Sequence, residues 1–151
     1  MSRVIIVGEA PNTGVLPNRE EDVLAGAIGK RLAAWAGISF EDYLARTTRV
    51  NLFDSKPKHW GKIRARRAAD AIADELVGSD SVILLGSRVA EAFGLVDLPL
   101  YTWQAGYYRG SIHGPTFVRL PHPSGLNRVL NDSRQRTLAS MVMSEAMRLA
   151  R

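Results

Sequence analysis

Four short apolar runs, each ending in a glycine, proline or polar loop and separated by helix-period sequence, constrain this chain more than any other feature. Arg3–Val7 stops at Gly8, Thr48–Phe53 gives way to a turn-rich Asp54–Gly61, Ser81–Leu85 stops at Gly86, and Thr116–Leu120 stops at Pro121. Runs of this length bounded by chain-breaking residues read as buried strands. Between them, Leu24, Ile28, Leu32 and Trp35 recur at helical spacing from about Asp22 to Ala36, with Gly37 as the stop. Ser39 followed by Glu41 and Asp42 is an N-cap with acids in the first turn, opening a short helix to about Ala45. Lys62–Val77 is predicted helical with Ile63, Ala68, Ala71, Ile72 and Leu76 inside and Lys62, Arg64, Arg66 and Arg67 outside. Ser87–Phe93 is a short helix ending at Gly94, and Tyr107–Ile112 with Thr116–Leu120 reads as a hairpin around His113. Asp132 or Ser133 caps a last helix to about Leu149, with Leu138, Met141, Val142 and Leu149 on one face.

This alternation predicts an α/β fold, a three-layer sandwich with a central, mainly parallel four-stranded sheet. Parallel strands share an end, so the loops after Val7, Phe53, Leu85 and Leu120 are expected along one edge, where such folds bind ligands. With 151 residues and no internal repeat or linker, a single domain over 1–151 is expected. No window of eighteen apolar residues is present, and the opening residues read as a strand rather than a signal peptide, so a cytoplasmic protein without membrane contact is expected. The chain has no cysteine, which removes disulfides, thiolate chemistry and cysteine-held metals; no cofactor and no metal are expected. Twenty Lys+Arg against 15 Asp+Glu leave a formal charge of +5, which favours an anionic partner.

The unusual polar residues fall in the gathered loops. Glu9, in Gly8-Glu9-Ala10-Pro11-Asn12, is a carboxylate at a strand end, suited to orienting water or a cation-like intermediate, or else a solvated loop acid. Asn51 offers a donor and an acceptor, suited to reading a base edge, or else a turn amide. Beyond it, Phe53 and Trp60 are core packing or a stacking platform, and His59 between lysines such as Lys58 faces solvent or phosphate. Two prolines bracket His122 and fix its backbone. Ser124, Gly125, Asn127 and Arg128 can donate to phosphate oxygens, and Leu126 is an apolar tip able to enter a base stack.

Taken in order, Gly8-Glu9-Ala10-Pro11-Asn12, Val50-Asn51-Leu52, the Val82–Ser87 stretch and His122-Pro123-Ser124-Gly125 resemble the motifs of the uracil-DNA glycosylase superfamily over roughly Val4 to Arg128. The nearest pattern resembles the branch with a G-E-A-P-G-type first motif and an iron–sulfur cluster; without cysteines this chain is expected to be a shortened, cluster-free relative. The resemblance implies hydrolysis of the N-glycosidic bond of uracil or a related base in DNA, leaving an abasic site, by a monomer acting on an extruded or single-stranded base. It implies His122 and Glu9 as catalytic residues, Asn51, Phe53, Leu24, Ala10 and Asn12 around the base, and Ser124, Gly125, Leu126, Asn127, Arg128, Ser87 and Lys58 on the DNA. Leu24 stands where that branch has a stacking Phe, so stacking is expected from Phe53 or Trp60, or the preferred base is not uracil. Ala10 stands where other branches activate water with Asp or Asn. An inactive or weak nucleic-acid-binding module on the same fold is the alternative, and hydrolysis of free nucleotides is a third reading.

Overall fold

A computed structural model describes residues 2–11, 23–105, 114–123 and 128–149. Its sheet has four strands, β1 (Val4–Gly8), β2 (Thr47–Asn51), β3 (Ser81–Leu85) and β4 (Thr116–Leu120), in the order β2-β1-β3-β4. All three pairings are parallel, with Val4 opposite Thr47 and Ser81, and Ser81 opposite Thr116. The two central strands are buried along their whole length, as a parallel sheet covered on both faces requires.

Alternation along the strands sorts the core into two layers. Val4, Ile6, Ile83, Leu85, Val118 and Leu120 point to one face, under α1 (Ala27–Ala36), α2 (Phe40–Arg46) and α5 (Ser133–Leu149). Ile5, Val7, Val82, Leu84 and Phe117 point to the other, under α3 (Lys62–Asp74) and α4 (Ser87–Ala92). The architecture is therefore the expected α/β sandwich, helices on both faces of a parallel sheet. Ser39 caps α2 by accepting from the Asp42 N–H at 3.0 Å, as its sequence predicts. Gly37, at φ +70, ends α1 with its N–H on Ala34 O and the Ile38 N–H on Ala33 O. Among the described residues, no helix is long and apolar enough to cross a membrane.

Several sequence expectations need correction. The first helix begins at Ala27 rather than Asp22, because Leu24 adopts φ +52 and breaks the run. That turn is held from outside: the Tyr43 hydroxyl donates to Leu24 O at 2.9 Å, Arg49 Nε donates to Val23 O at 2.9 Å, and a side chain at Gly29 would meet Leu24 O. The second strand is Thr47–Asn51, so Phe53 lies beyond it, although the Leu52 and Phe53 N–H groups still donate to Gly8 O and Glu9 O at 3.0 Å. The third helix ends at Asp74, short of Val77, whose N–H donates to the Asp80 carboxylate instead.

Two helix faces also differ from expectation. On α3 the buried row is Ala65 and Ala69, flanked by the partly buried Ala68, Ile72 and Leu76, while Ile63 is 72% exposed and Ala71 is exposed. On α5 the core face is Ala139, Val142, Met143, Ala146 and Met147, while Leu138 and Leu149 are exposed and Met141 is 62% exposed. On α3 small alanines meet the neighbouring layer, and on α5 Ala139 and Ala146 share the core face with Val142, Met143 and Met147. The first arm of the expected hairpin, 107–112, and residue 113 lie outside the described residues.

Candidate active site

In the order β2-β1-β3-β4 the chain leaves β1 toward one side of the sheet and leaves β3 toward the other. A crevice therefore opens beyond the ends of β1 and β3, where doubly wound sheets bind their ligands. Three loops meet there. Glu9 follows β1, Gly86 follows β3, and Pro121-His122-Pro123 follows β4.

Gly86 brings these loops together. Its N–H donates to Leu120 O at 2.8 Å, which ties the end of β3 to the end of β4. With φ +95 and ψ 164 it occupies a region essentially reserved for glycine, and this turn starts α4. A side-chain carbon placed at Gly86 would lie 3.9 Å from Glu9 Oε1, 3.6 Å from His122 Cβ and 3.9 Å from His122 Cδ2. The carboxylate and the imidazole thus converge on the space above one glycine, from strands that are not neighbours.

A cleft of about 340 Å³ surrounds them. Its polar lining is Glu9, Ser87, Arg88, Arg119 and His122; Leu100, Leu120, Pro121 and Val129 form apolar walls. Arg88 Nη1 lies 4.0 Å from Glu9 Oε2. His122 is half-buried between two buried prolines, and the Arg31 guanidinium of α1 donates to Pro123 O at 2.7 Å, pinning the loop from the helical layer. Burial lowers the His122 pKa below the ordinary histidine value, and the Glu9 carboxylate opposes part of that shift. At neutral pH the ring is consequently an uncharged imidazole, with one N–H to donate.

The structure therefore brings Glu9, Ser87 and His122 to one cleft, as the parallel-strand argument predicts. Other expected site residues sit elsewhere. Asn51 and Leu24 cover Gly8, where an added side-chain carbon would be 2.6 Å from Asn51 Oδ1 and 2.9 Å from Leu24 Cδ2. Asn51 Oδ1 is buried there without a hydrogen-bond partner, one strand away from the described lining of the cleft. Phe53 is core: it is buried and meets Trp60 edge-to-face at 5.5 Å. Trp60 is half-buried, with the Arg88 guanidinium 5.3 Å over its ring. Neither ring is among the described residues that line the cleft. Ala10 is half-buried against the α3–α4 layer, and Lys58 is exposed. Asn12, Ser124, Gly125, Leu126 and Asn127 lie outside the described residues, and Arg128 opens the short 3-10 turn Arg128–Asn131.

Sequence reasoning missed Arg88, Arg119, Leu100 and Val129. Arg119 carried a readable signal, a charge inside the apolar run Phe117-Val118-Arg119-Leu120. Leu100 and Val129 carried none, because their exposure depends on how distant segments pack. No protein-family model matches the chain, and no curated protein matches it.

Proposed function

We propose that this chain is a DNA glycosylase that hydrolyses the N-glycosidic bond of uracil or a related damaged or modified base, releasing the base and leaving an abasic site. The observation that carries this reading is the convergence of Glu9 Oε1 and the His122 ring above Gly86. Cleavage of this bond moves its electron pair onto the departing base and leaves positive charge on the sugar. A neutral imidazole N–H suits the first charge: it donates to a base carbonyl oxygen and strengthens that bond as the oxygen becomes anionic. The carboxylate suits the second, stabilising the cationic sugar and orienting a water whose oxygen bonds to the anomeric carbon. A proton from that water ends on the base, so the products are a neutral base and an abasic sugar.

The surroundings support an anionic polymer as substrate. Helix α3 starts at the same sheet edge as the cleft, and its Lys62, Arg64, Arg66 and Arg67 are exposed, as are Lys56, Lys58 and Arg88. The test is an excision assay with oligonucleotides carrying uracil, hypoxanthine or a modified base, single- and double-stranded, with enzyme in excess. Base release with an abasic product is expected from the native chain and lost in Glu9→Gln.

A second reading is a nucleic-acid-binding module without the chemistry. It is favoured by the burial of Phe53 in the core and by the place of Asn51, which faces Gly8 rather than the cleft. Tight, salt-sensitive DNA binding with no abasic product in the same assay would select it.

A further inference from the structure

From Phe117 to Leu120 strand β4 is apolar except where Arg119 interrupts it, and Arg119 lines the cleft. Arg119 is half-buried at a sheet edge, a costly place for a guanidinium unless its donors are used. They are used poorly. Nε is buried with no hydrogen-bond partner, and Nη1 reaches the Val96 and Leu98 carbonyls only at 3.4 and 3.3 Å. Among the described residues no carboxylate lies within ion-pair distance of it, whereas Arg88, the other guanidinium of the cleft, lies 4.0 Å from Glu9. With His122 uncharged, the cleft holds two guanidinium groups against one carboxylate. Arg119 also sits beside the exposed apolar side chains Leu100 and Val129, which line the same cleft and reduce the water able to compete for its donors.

A guanidinium that lines a cleft and makes only two stretched bonds, both from Nη1, gains from an anionic acceptor in that cleft. A phosphate is such an acceptor, with the charge the cleft lacks. We propose that Arg119 is a phosphate anchor, its guanidinium binding a phosphate of the nucleotide whose glycosidic bond faces Glu9 and His122. This rests on the reading of the cleft as a nucleotide-hydrolysing site and extends it, since it fixes the end of the cleft at which the phosphate lies. The phosphate belongs either to a DNA strand or to a free mononucleotide; the recognition chemistry is the same.

The test titrates the full-length chain with four probes: inorganic phosphate, a nucleoside, its 5′-monophosphate, and a short single-stranded oligonucleotide. The readout is the NMR signal of the Arg119 Nε–H, assigned through its own backbone. Phosphate is expected to move that signal saturably as the guanidinium gains an anionic neighbour. Arg119→Gln is expected to weaken the three phosphate-bearing probes by about tenfold or more and leave the nucleoside unchanged. If Arg119→Gln does not fold, Arg119→Lys replaces it with the same expected loss, because a point charge lacks the fork. Tighter binding of the oligonucleotide than of the monophosphate assigns the anchor to a DNA strand, and the reverse order assigns it to a free nucleotide. A signal that does not move with phosphate, or a variant that binds phosphate like the native chain, overturns the proposal. Phosphate binding at Arg119 without base release would leave the anchor standing and defeat the glycosylase reading; base release with an unresponsive Arg119 would do the opposite.

Discussion

At the edge where the strands begin, Asp80 is 1% exposed, and its carboxylate accepts from Arg3 Nε at 2.9 Å, Arg3 Nη2 at 2.7 Å and the Val77 N–H at 2.8 Å. Its backbone carbonyl accepts from the Thr116 N–H, so one residue ties β1, β3 and β4 together. At the edge where the strands end, Glu9 has one ion pair at 4.0 Å, Asn51 Oδ1 has no partner, and Arg119 Nε has none. At the first edge Asp80 commits its carboxylate and its carbonyl to the fold. At the second, buried polar groups stay without a partner, a contrast that the proposed function would explain.

Substitutions can break this contrast, and the largest effect is expected at the second edge. His122→Ala should raise the barrier to base release by about 2.7–4 kcal/mol, the range for a lost oxyanion donor, with the melting temperature close to that of the native chain. Rates and thermal melts of the same preparations check it; a large melting loss would group His122 with the first edge. Asp80→Ala should do the reverse, lowering unfolding free energy by about 1.5–3 kcal/mol through its charged hydrogen bonds, with catalysis intact in the folded fraction. Denaturant titration measures it.

Gly86→Ala joins the two behaviours. The strain at φ +95 should cost about 1–3 kcal/mol of stability. The added carbon meets His122 and Glu9 only at ordinary contact distances, so any loss of activity reports a shifted turn rather than a blocked cleft. A denaturation curve beside an excision rate separates the two.

The smallest expected effect is in pH. The folded-state pKa of His122 lies below its unfolded value, so the folded chain binds fewer protons there and stability falls as pH drops below about 6.5, levelling off beneath the folded pKa. Base release should follow the same direction, high where the ring is neutral and falling as it protonates. His122→Asn should flatten the stability profile between those limits, which a pH series of melts would detect.

Much of this was legible in the chain itself. Val4–Val7 and Val82–Leu85 are apolar throughout because both their faces are covered, so they announce a parallel sheet without any view of it. Once the strands are parallel, Glu9 and His122 must end at the same edge. The faces of α3 and α5 were not legible: alanine carries little hydrophobic contrast, and the larger Ile63 and Met141 mislead a count of apolar residues. The φ of Leu24 was hidden for another reason. It is imposed by Tyr43, Arg49 and Gly29, which are distant in sequence or become neighbours only after folding. The place of Asn51 follows from that turn, since Leu24 and Asn51 share the space above Gly8.

The strand order has a consequence for the birth of the molecule. β1 leads the sequence yet sits between β2 and β3, so its second neighbour is absent until residues 81–85 have been made, and β4 comes later still. Such a sheet is built from distant pairings, which are slow to form and expose apolar edges while they wait. Glu9 is made near the start and His122 only after β4, so the cleft is incomplete until all four strands have been made. A chain stalled before that point would carry a nearly complete sheet and only part of the cleft.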